Sequence, residues 1–220
     1  MFHQWSRLIG AGVFFALLVA GPVRAGENYK ISSYGGGHQI WFEAEDYDER
    51  NPDSDAGFAL SDEPGAFGRS ITNTSGDDGA YLLRYEFDIS KAGGRGGTWY
   101  FWGRVINPNN RSSFLLVDGH PGDPTPVTSL PVTGLVNGQR IFEENIGATW
   151  TWGRTNHGEG HTKTLRDGLN TMYVLARETN GIMDVFMWTD APGVRDEPWR
   201  QNGRWLRYAC RSHRRFGKTP

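Results

Sequence analysis

The stretch Tyr81-Leu82-Leu83-Arg84-Tyr85-Glu86-Phe87-Asp88-Ile89 decides the fold. Large side chains fall on every second position and charged ones lie between them: Tyr81, Leu83, Tyr85 and Phe87 against Arg84, Glu86 and Asp88. Successive side chains of a strand point to opposite faces, so this pattern predicts a half-buried strand. No stretch repeats apolar residues at helical spacing over three turns. We therefore expect an all-β chain folded as an antiparallel β-sandwich.

Further short segments rich in β-branched and aromatic residues are bounded by Gly, Pro, Asn or Asp. With the deciding stretch, the predicted strands are 39–45, 80–89, 98–106, 113–118, 139–142, 149–152, 170–177 and 182–189. The connections contain Asp-Gly and Asn-Gly pairs, which accept positive φ readily, and Asn180-Gly181 is predicted to be a hairpin turn. Residues 51–78 show little periodicity and are expected to form a long loop with one strand piece near 69–72.

The first 25 residues have the composition of an export signal. Arg7 precedes an apolar run, Leu8 to Ala20, and Val23-Arg24-Ala25 is a cleavage site with small residues. The run is shorter than the roughly 18 residues that favour a membrane span, so a retained anchor is the weaker alternative. We expect a secreted or periplasmic protein with no membrane segment in its mature form.

The remaining chain is about the size of one β-sandwich domain, here assigned to residues 26–191. Residues 192–220 form a tail with eight basic and two acidic residues, predicted to be disordered. Without the tail and the signal, 13 basic residues face 23 acidic ones, so the domain carries a net charge of about −10. This charge argues against nucleic acid as a partner and favours a divalent cation. With Cys210 as the single cysteine, an internal disulfide is excluded.

Several segments, in order, resemble the carbohydrate-binding modules of families six and thirty-five. The resemblance runs through Phe42-Glu43-Ala44-Glu45-Asp46-Tyr47, 83–89, Gly97-Thr98-Trp99-Tyr100-Phe101-Trp102-Gly103-Arg104-Val105, 114–119, 150–152, 165–170 and Ile182-Met183-Asp184. It covers nearly all of the mature domain, residues 40–190. The resemblance implies a jelly roll of the galactose-binding type, without catalytic activity, that holds a structural calcium ion and a sugar.

Glu43 and Glu45 lie two residues apart on a predicted strand, so their side chains leave the same face. Like charges this close repel unless a cation lies between them, and carboxylate oxygens suit calcium. The resemblance adds Asp184 as the third calcium ligand. The alternative is a solvated edge strand with two ordinary acidic residues.

Sugar binding needs aromatic rings that stack on C–H faces, with polar groups around them. Trp150 and Trp152 lie on one side of a predicted strand before a glycine-rich loop, and the expected hydrogen-bonding residues are Asn156, His157 and Asn180. Core packing is the alternative for both rings and is the expectation for Trp99 and Trp102. The loop 74–79 has no aromatic residue where the resembling modules usually have one, so a two-ring clamp there is not expected.

The sequence contains no nucleophile elbow, phosphate-binding loop or dinucleotide fingerprint, so we expect no enzyme. The favoured function is an exported carbohydrate-binding domain whose partner is a polysaccharide or glycan. The first alternative is a structural or adhesion module that contacts proteins, and the second is a glycosidase that uses a carboxylate pair.

Overall fold

The computed structural model describes residues 28–33, 37–109, 111–143, 147–153 and 161–192. Its strands are β1 (Lys30–Ser32), β2 (Gln39–Glu43), β3 (Glu49–Asn51), β4 (Phe58–Ser61), β5 (Ser70–Asn73), β6 (Leu82–Asp88), β7 (Gly97–Asn107), β8 (Ser113–Val117), β9 (Arg140–Ile141), β10 (Gly147–Gly153), β11 (Thr162–Leu165), β12 (Leu169–Leu175) and β13 (Ile182–Thr189). Two 3-10 turns, Ile89–Ala92 and Asn137–Gln139, accompany them. In this part of the chain, no helix is long and apolar enough to cross a membrane.

The strands form two antiparallel sheets. In the first, sheet A, β13 is central: β2 and β7 flank it, β1 lies beyond β2, β10 and β11 pair with β7, and the β4–β5 hairpin joins through β5. The second, sheet B, has the order β3-β6-β12-β8-β9. The prediction of an antiparallel β-sandwich is confirmed.

Aromatic side chains from the inner faces of both sheets build the core. Phe42 of sheet A meets Tyr85 and Phe87 of sheet B at ring distances of 5.6 and 5.3 Å. Phe87 also stacks on Trp188. The prediction that one side of β6 faces the core is therefore confirmed, because Tyr85 and Phe87 are buried and the charged residues that alternate with them are half-buried.

The eight strands read from the sequence are all present, with ends that differ by a few residues. The prediction of a long loop over 51–78 is wrong, because β4 and β5 form a hairpin there with Phe58 opposite Asn73. The expected strand piece near 69–72 is confirmed as β5. The prediction of a hairpin turn at Asn180-Gly181 is wrong, because β12 and β13 lie in different sheets and are joined by the six residues 176–181. Asn180 does have the expected positive φ, 72°.

Much of the outer face of sheet B lies under a long connection, residues 118–139, between β8 and β9. Val132 of this connection packs with strand residues Leu82, Phe114, Leu116, Tyr173 and Leu175 in a second apolar cluster. A buried ion pair anchors the same connection, with Lys163 Nζ 3.0 Å from both carboxylate oxygens of Asp123. This face of the sandwich is thereby covered by the chain itself.

Candidate functional site

The outer face of sheet A carries a cluster of tryptophans, which we call the aromatic face: Trp41 of β2, Trp102 of β7 and Trp152 of β10. Met187 of β13 lies opposite both Trp41 and Trp102 in the strand register. The rings of Trp41 and Trp152 meet edge to face, 5.6 Å apart and at 89°. These residues point outward because their strand neighbours, such as Phe42 and Phe101, fill the core.

The tryptophans of sheet A differ in exposure. Trp41, Trp150 and Trp152 are half-buried, so each keeps part of its surface exposed. Trp102 is buried at 4 % exposure, although it points to the outer face, and Trp99 is fully buried in the core. The expectation that Trp99 packs in the core is confirmed, whereas Trp102 is buried outside the main core cluster.

Trp150 lies next to a group of charged side chains, Arg104, Glu43, Glu45 and Asp184, which we call the charged centre. The Arg104 guanidinium lies over two rings, 4.3 Å from the centre of Phe67 and 4.6 Å from that of Trp150. Its nitrogens donate to the Gly65 carbonyl at 3.1 Å and to the Asp184 carboxylate. The indole N–H of Trp150 donates to the Pro64 carbonyl at 2.9 Å. Trp150 and Arg104 therefore hold the tip of the β4–β5 hairpin against sheet A.

The structure brings the three expected carboxylates, Glu43, Glu45 and Asp184, to this hairpin tip. The Ala44 N–H donates to the Asp184 carbonyl at 2.8 Å, which places Asp184 beside both glutamates. The register of β13 on β7 shifts between Met183 and Val185, so Asp184 lies in a bulge. Bulges re-aim side chains, and here the carboxylate is fully buried under the hairpin tip.

Gly68 allows the two glutamates to approach the hairpin. A Cβ at this position would collide with Glu45 Oε1 and lie 2.9 Å from Glu43 Oε2. Glu45 Oε1 accepts the Arg69 N–H at 2.6 Å, and Glu43 Oε1 accepts from Lys30 Nζ at 3.0 Å. Glu45 Oε2 is buried without a hydrogen-bond partner.

Burial dominates the electrostatics of this centre. Desolvation raises the pKa of Glu45 to about 7. The backbone N–H groups of Glu45 itself and of Arg69 lower this pKa, and the neighbouring Glu43 charge raises it. Desolvation also raises the pKa of Asp184, while the Phe67 N–H and Arg104 act in the opposite direction. An ionised carboxylate without a positively charged partner is therefore unfavourable in this centre.

The residues present do not fit the expected three-carboxylate calcium site. One Asp184 oxygen accepts the Phe67 N–H at 3.0 Å, and the other is bound by Arg104. Among the described residues, no group of three or more His, Cys, Asp or Glu is placed to hold a metal ion. Calcium binding stays a prediction from the sequence. Of the three expected ligands, only Glu43 and Glu45 are not bound by Arg104.

The expected polar ligands do not all gather at the tryptophans. Asn180 lies at the opposite end of β5, where its N–H donates to the Asn73 carbonyl at 2.7 Å. Its side chain bonds Thr179. Asn156 and His157 lie outside the described residues, as do the predicted export signal, the basic tail from residue 193 and Cys210.

Trp41 and Arg104 belong to the site but were not selected from the sequence. The alternation of Ile40 and Phe42 with Trp41 is a signal that Trp41 points away from the core. For Arg104 the alternation with Phe101 and Val105 gives the same signal, but its partners depend on which strands are neighbours.

No protein-family model matches the chain, and no curated protein matches it. Solved structures do resemble it. The chain is similar to a β-(1,4)-mannanase with a family 35 module from Podospora anserina, at 14 % identity and a TM-score of 0.47, covering 70 % of this chain but only 28 % of the mannanase. A family 35 carbohydrate-binding module from Clostridium thermocellum aligns at 16 % identity and TM-score 0.46, over 68 % of this chain and 96 % of the module.

A third similar structure is a carbohydrate-binding module from the Cellvibrio mixtus lichenase 5A, in complex with cellotriose. It shares 19 % identity at a TM-score of 0.41, over 69 % of this chain and 96 % of the module. At such identities and scores the likeness adds nothing to the fold that the strand pairing already establishes.

Proposed function

We propose that this chain is an exported carbohydrate-binding domain that acts by binding and not by catalysis. One observation carries the proposal: the half-buried rings of Trp41 and Trp152 meet edge to face on the outer face of sheet A. Two such rings form a corner in which a sugar ring contacts one face and one edge. Aromatic faces of this kind bind the apolar C–H faces of sugars.

Polar groups beside the rings fix their positions. The Trp41 indole N–H donates to the Gln39 side chain at 3.1 Å, which orients the ring. Arg104 lies directly opposite Trp152 in the strand register, on the same face. Aromatic rings held in fixed positions by neighbouring polar groups are typical of a preformed small-molecule site.

The carboxylates of the charged centre support a non-catalytic role. Glycosidases place two carboxyl groups on opposite sides of a sugar, with room for the substrate or a water molecule between them. Here the hairpin backbone at Gly68 fills the space beside Glu43 and Glu45. Asp184 is fully buried and paired with Arg104.

A glycan array followed by calorimetry tests the proposal. Binding by the exported protein should weaken by roughly tenfold or more in Trp152→Ala and Trp41→Ala, because each loses a ring at the centre of the contact. Leu169→Ala is the matched control, since Leu169 is 61 % exposed on sheet B, and it should bind like the wild type.

Three results would count against this function. Failure of the wild type to bind any glycan while it binds a cell-surface protein would favour the adhesion alternative. Equal glycan binding by the wild type and Trp152→Ala would show that the glycan does not bind at the aromatic face. Hydrolysed glycan in the array samples would show an enzyme.

A further inference from the structure

Asp184 is the most deeply buried carboxylate of the charged centre, and it needs a cation. Its exposure is 0 %, and it lies in the bulge of β13. A buried charge without a partner costs several kcal/mol, so such groups are paired or bound to a metal. Here the partner is the Arg104 guanidinium.

Arg104 is held in this place from several directions. The rings of Phe67 and Trp150 lie on it at 4.3 and 4.6 Å, and its second nitrogen donates to the Gly65 carbonyl. The strand register sets Arg104 between Val185 of β13 and Trp152 of β10. A planar cation that stacks on aromatic rings and makes fixed hydrogen bonds is a role that suits arginine.

The same contacts tie the β4–β5 hairpin tip to the sheet. The hairpin backbone at Pro64, Gly65, Phe67 and Arg69 bonds to Trp150, Arg104, Asp184 and Glu45 respectively. Arg104 takes part in this arrangement twice, as the donor to Gly65 and as the counter-charge of Asp184. It thus joins three elements, β7, β13 and the hairpin, as a bound ion would.

We propose that Arg104 takes the place of a divalent cation at the charged centre, so that the folded chain is stable without one. A second consequence follows. Removal of the guanidinium leaves Asp184 beside Glu43 and Glu45 without its counter-charge, and oxygen ligands with that charge bind calcium. The proposal does not depend on glycan binding.

Thermal unfolding with and without calcium tests the proposal on the full exported chain. The melting temperature of the wild type should be the same in excess EDTA and in millimolar CaCl2. Arg104→Met keeps the length of the side chain but not its charge, and should melt roughly 6 °C lower or more in EDTA. Millimolar CaCl2 should then restore part of the loss, whereas NaCl at matched ionic strength should not.

Two variants serve as controls. Arg69→Gln removes another guanidinium of the same hairpin, whose ion-pair partner among the described residues is the exposed Asp62. This variant should neither melt at a much lower temperature nor respond to calcium. The double variant Arg104→Met with Asp184→Asn should lose the calcium response, because it also lacks the Asp184 carboxylate that the single variant leaves without a partner.

The wild type decides the outcome if Arg104→Met does not fold. A wild type that loses stability in EDTA, or that binds calcium in a calorimetric titration, overturns the proposal. A folded Arg104→Met that ignores calcium overturns it as well, since Arg104 would then not lie where a cation binds. An EDTA-insensitive wild type that gives no calorimetric signal with calcium supports it.

Discussion

Glu45 should make the chain less stable as the pH rises through the neutral range. Its carboxylate has a pKa of about 7 in the folded chain, against 4.5 as the ordinary value, mainly because burial disfavours the charge. Between these two values the folded state holds a proton that the unfolded state has released. The free energy of unfolding therefore falls as the pH rises from about 4.5 to about 7, and it stays at the lower value above that.

The magnitude follows from the shift. At about 1.4 kcal/mol for each pKa unit, the full shift corresponds to about 3 kcal/mol. Glu45 is only half-buried, and solvent screening reduces the effect, so we expect about 1–2 kcal/mol. Glu45→Gln keeps an oxygen for the Arg69 N–H and removes the charge. This variant should be more stable than the wild type by that amount at about pH 8, and equal to it near pH 4.5.

Urea unfolding of both proteins across this pH range measures the difference. Asp78→Asn is the control, because Asp78 is exposed and its loss should not change the pH dependence. A Glu45→Gln variant that is less stable than the wild type at about pH 8 would refute the reasoning, because the ionised carboxylate would then be stabilised by a cation that binds it.

Two further substitutions probe the connection over sheet B. Lys163→Met leaves the Asp123 carboxylate buried without its cation, so unfolding in urea should show a loss of about 3 kcal/mol; less than about 1 kcal/mol would contradict a buried pair. Gly79→Ala should cost about 2 kcal/mol or more, because Gly79 has a φ of 69° and a Cβ there would collide with the Val132 carbonyl. Gly76→Ala, with open space around it, should unfold like the wild type, and equal losses in the two variants would argue against the collision.

The sandwich could be predicted because its central strands are long enough to show their period. In β6 and β7 the apolar positions repeat several times, so the side that faces the core can be read directly. The strands that the sequence missed are short: β1 and β3 have three residues each and β4 and β11 have four each, which leaves at most two repeats.

The site was harder to predict because it depends on strand order. Trp150 and Trp152 were found as aromatic residues on one side of a strand, and both lie on the outer face of sheet A. That β2 and β10 bring Trp41 to Trp152 is a property of the strand order and of the side-chain conformations. Arg104 was missed as the partner of Asp184 for the same reason, since 80 residues separate them in sequence.

The connection 118–139 makes the two outer faces of the sandwich different: it lies over sheet B, whereas the tryptophans lie on sheet A. Because it hides much of one side of the sandwich under the chain's own loop, a large ligand lying on the tryptophans approaches from the other side. A fluorophore or surface linker attached at Val136, which is 58 % exposed on that connection, would therefore orient immobilised protein with its tryptophans toward the solution. Attachment through the opposite side would turn those rings to the support.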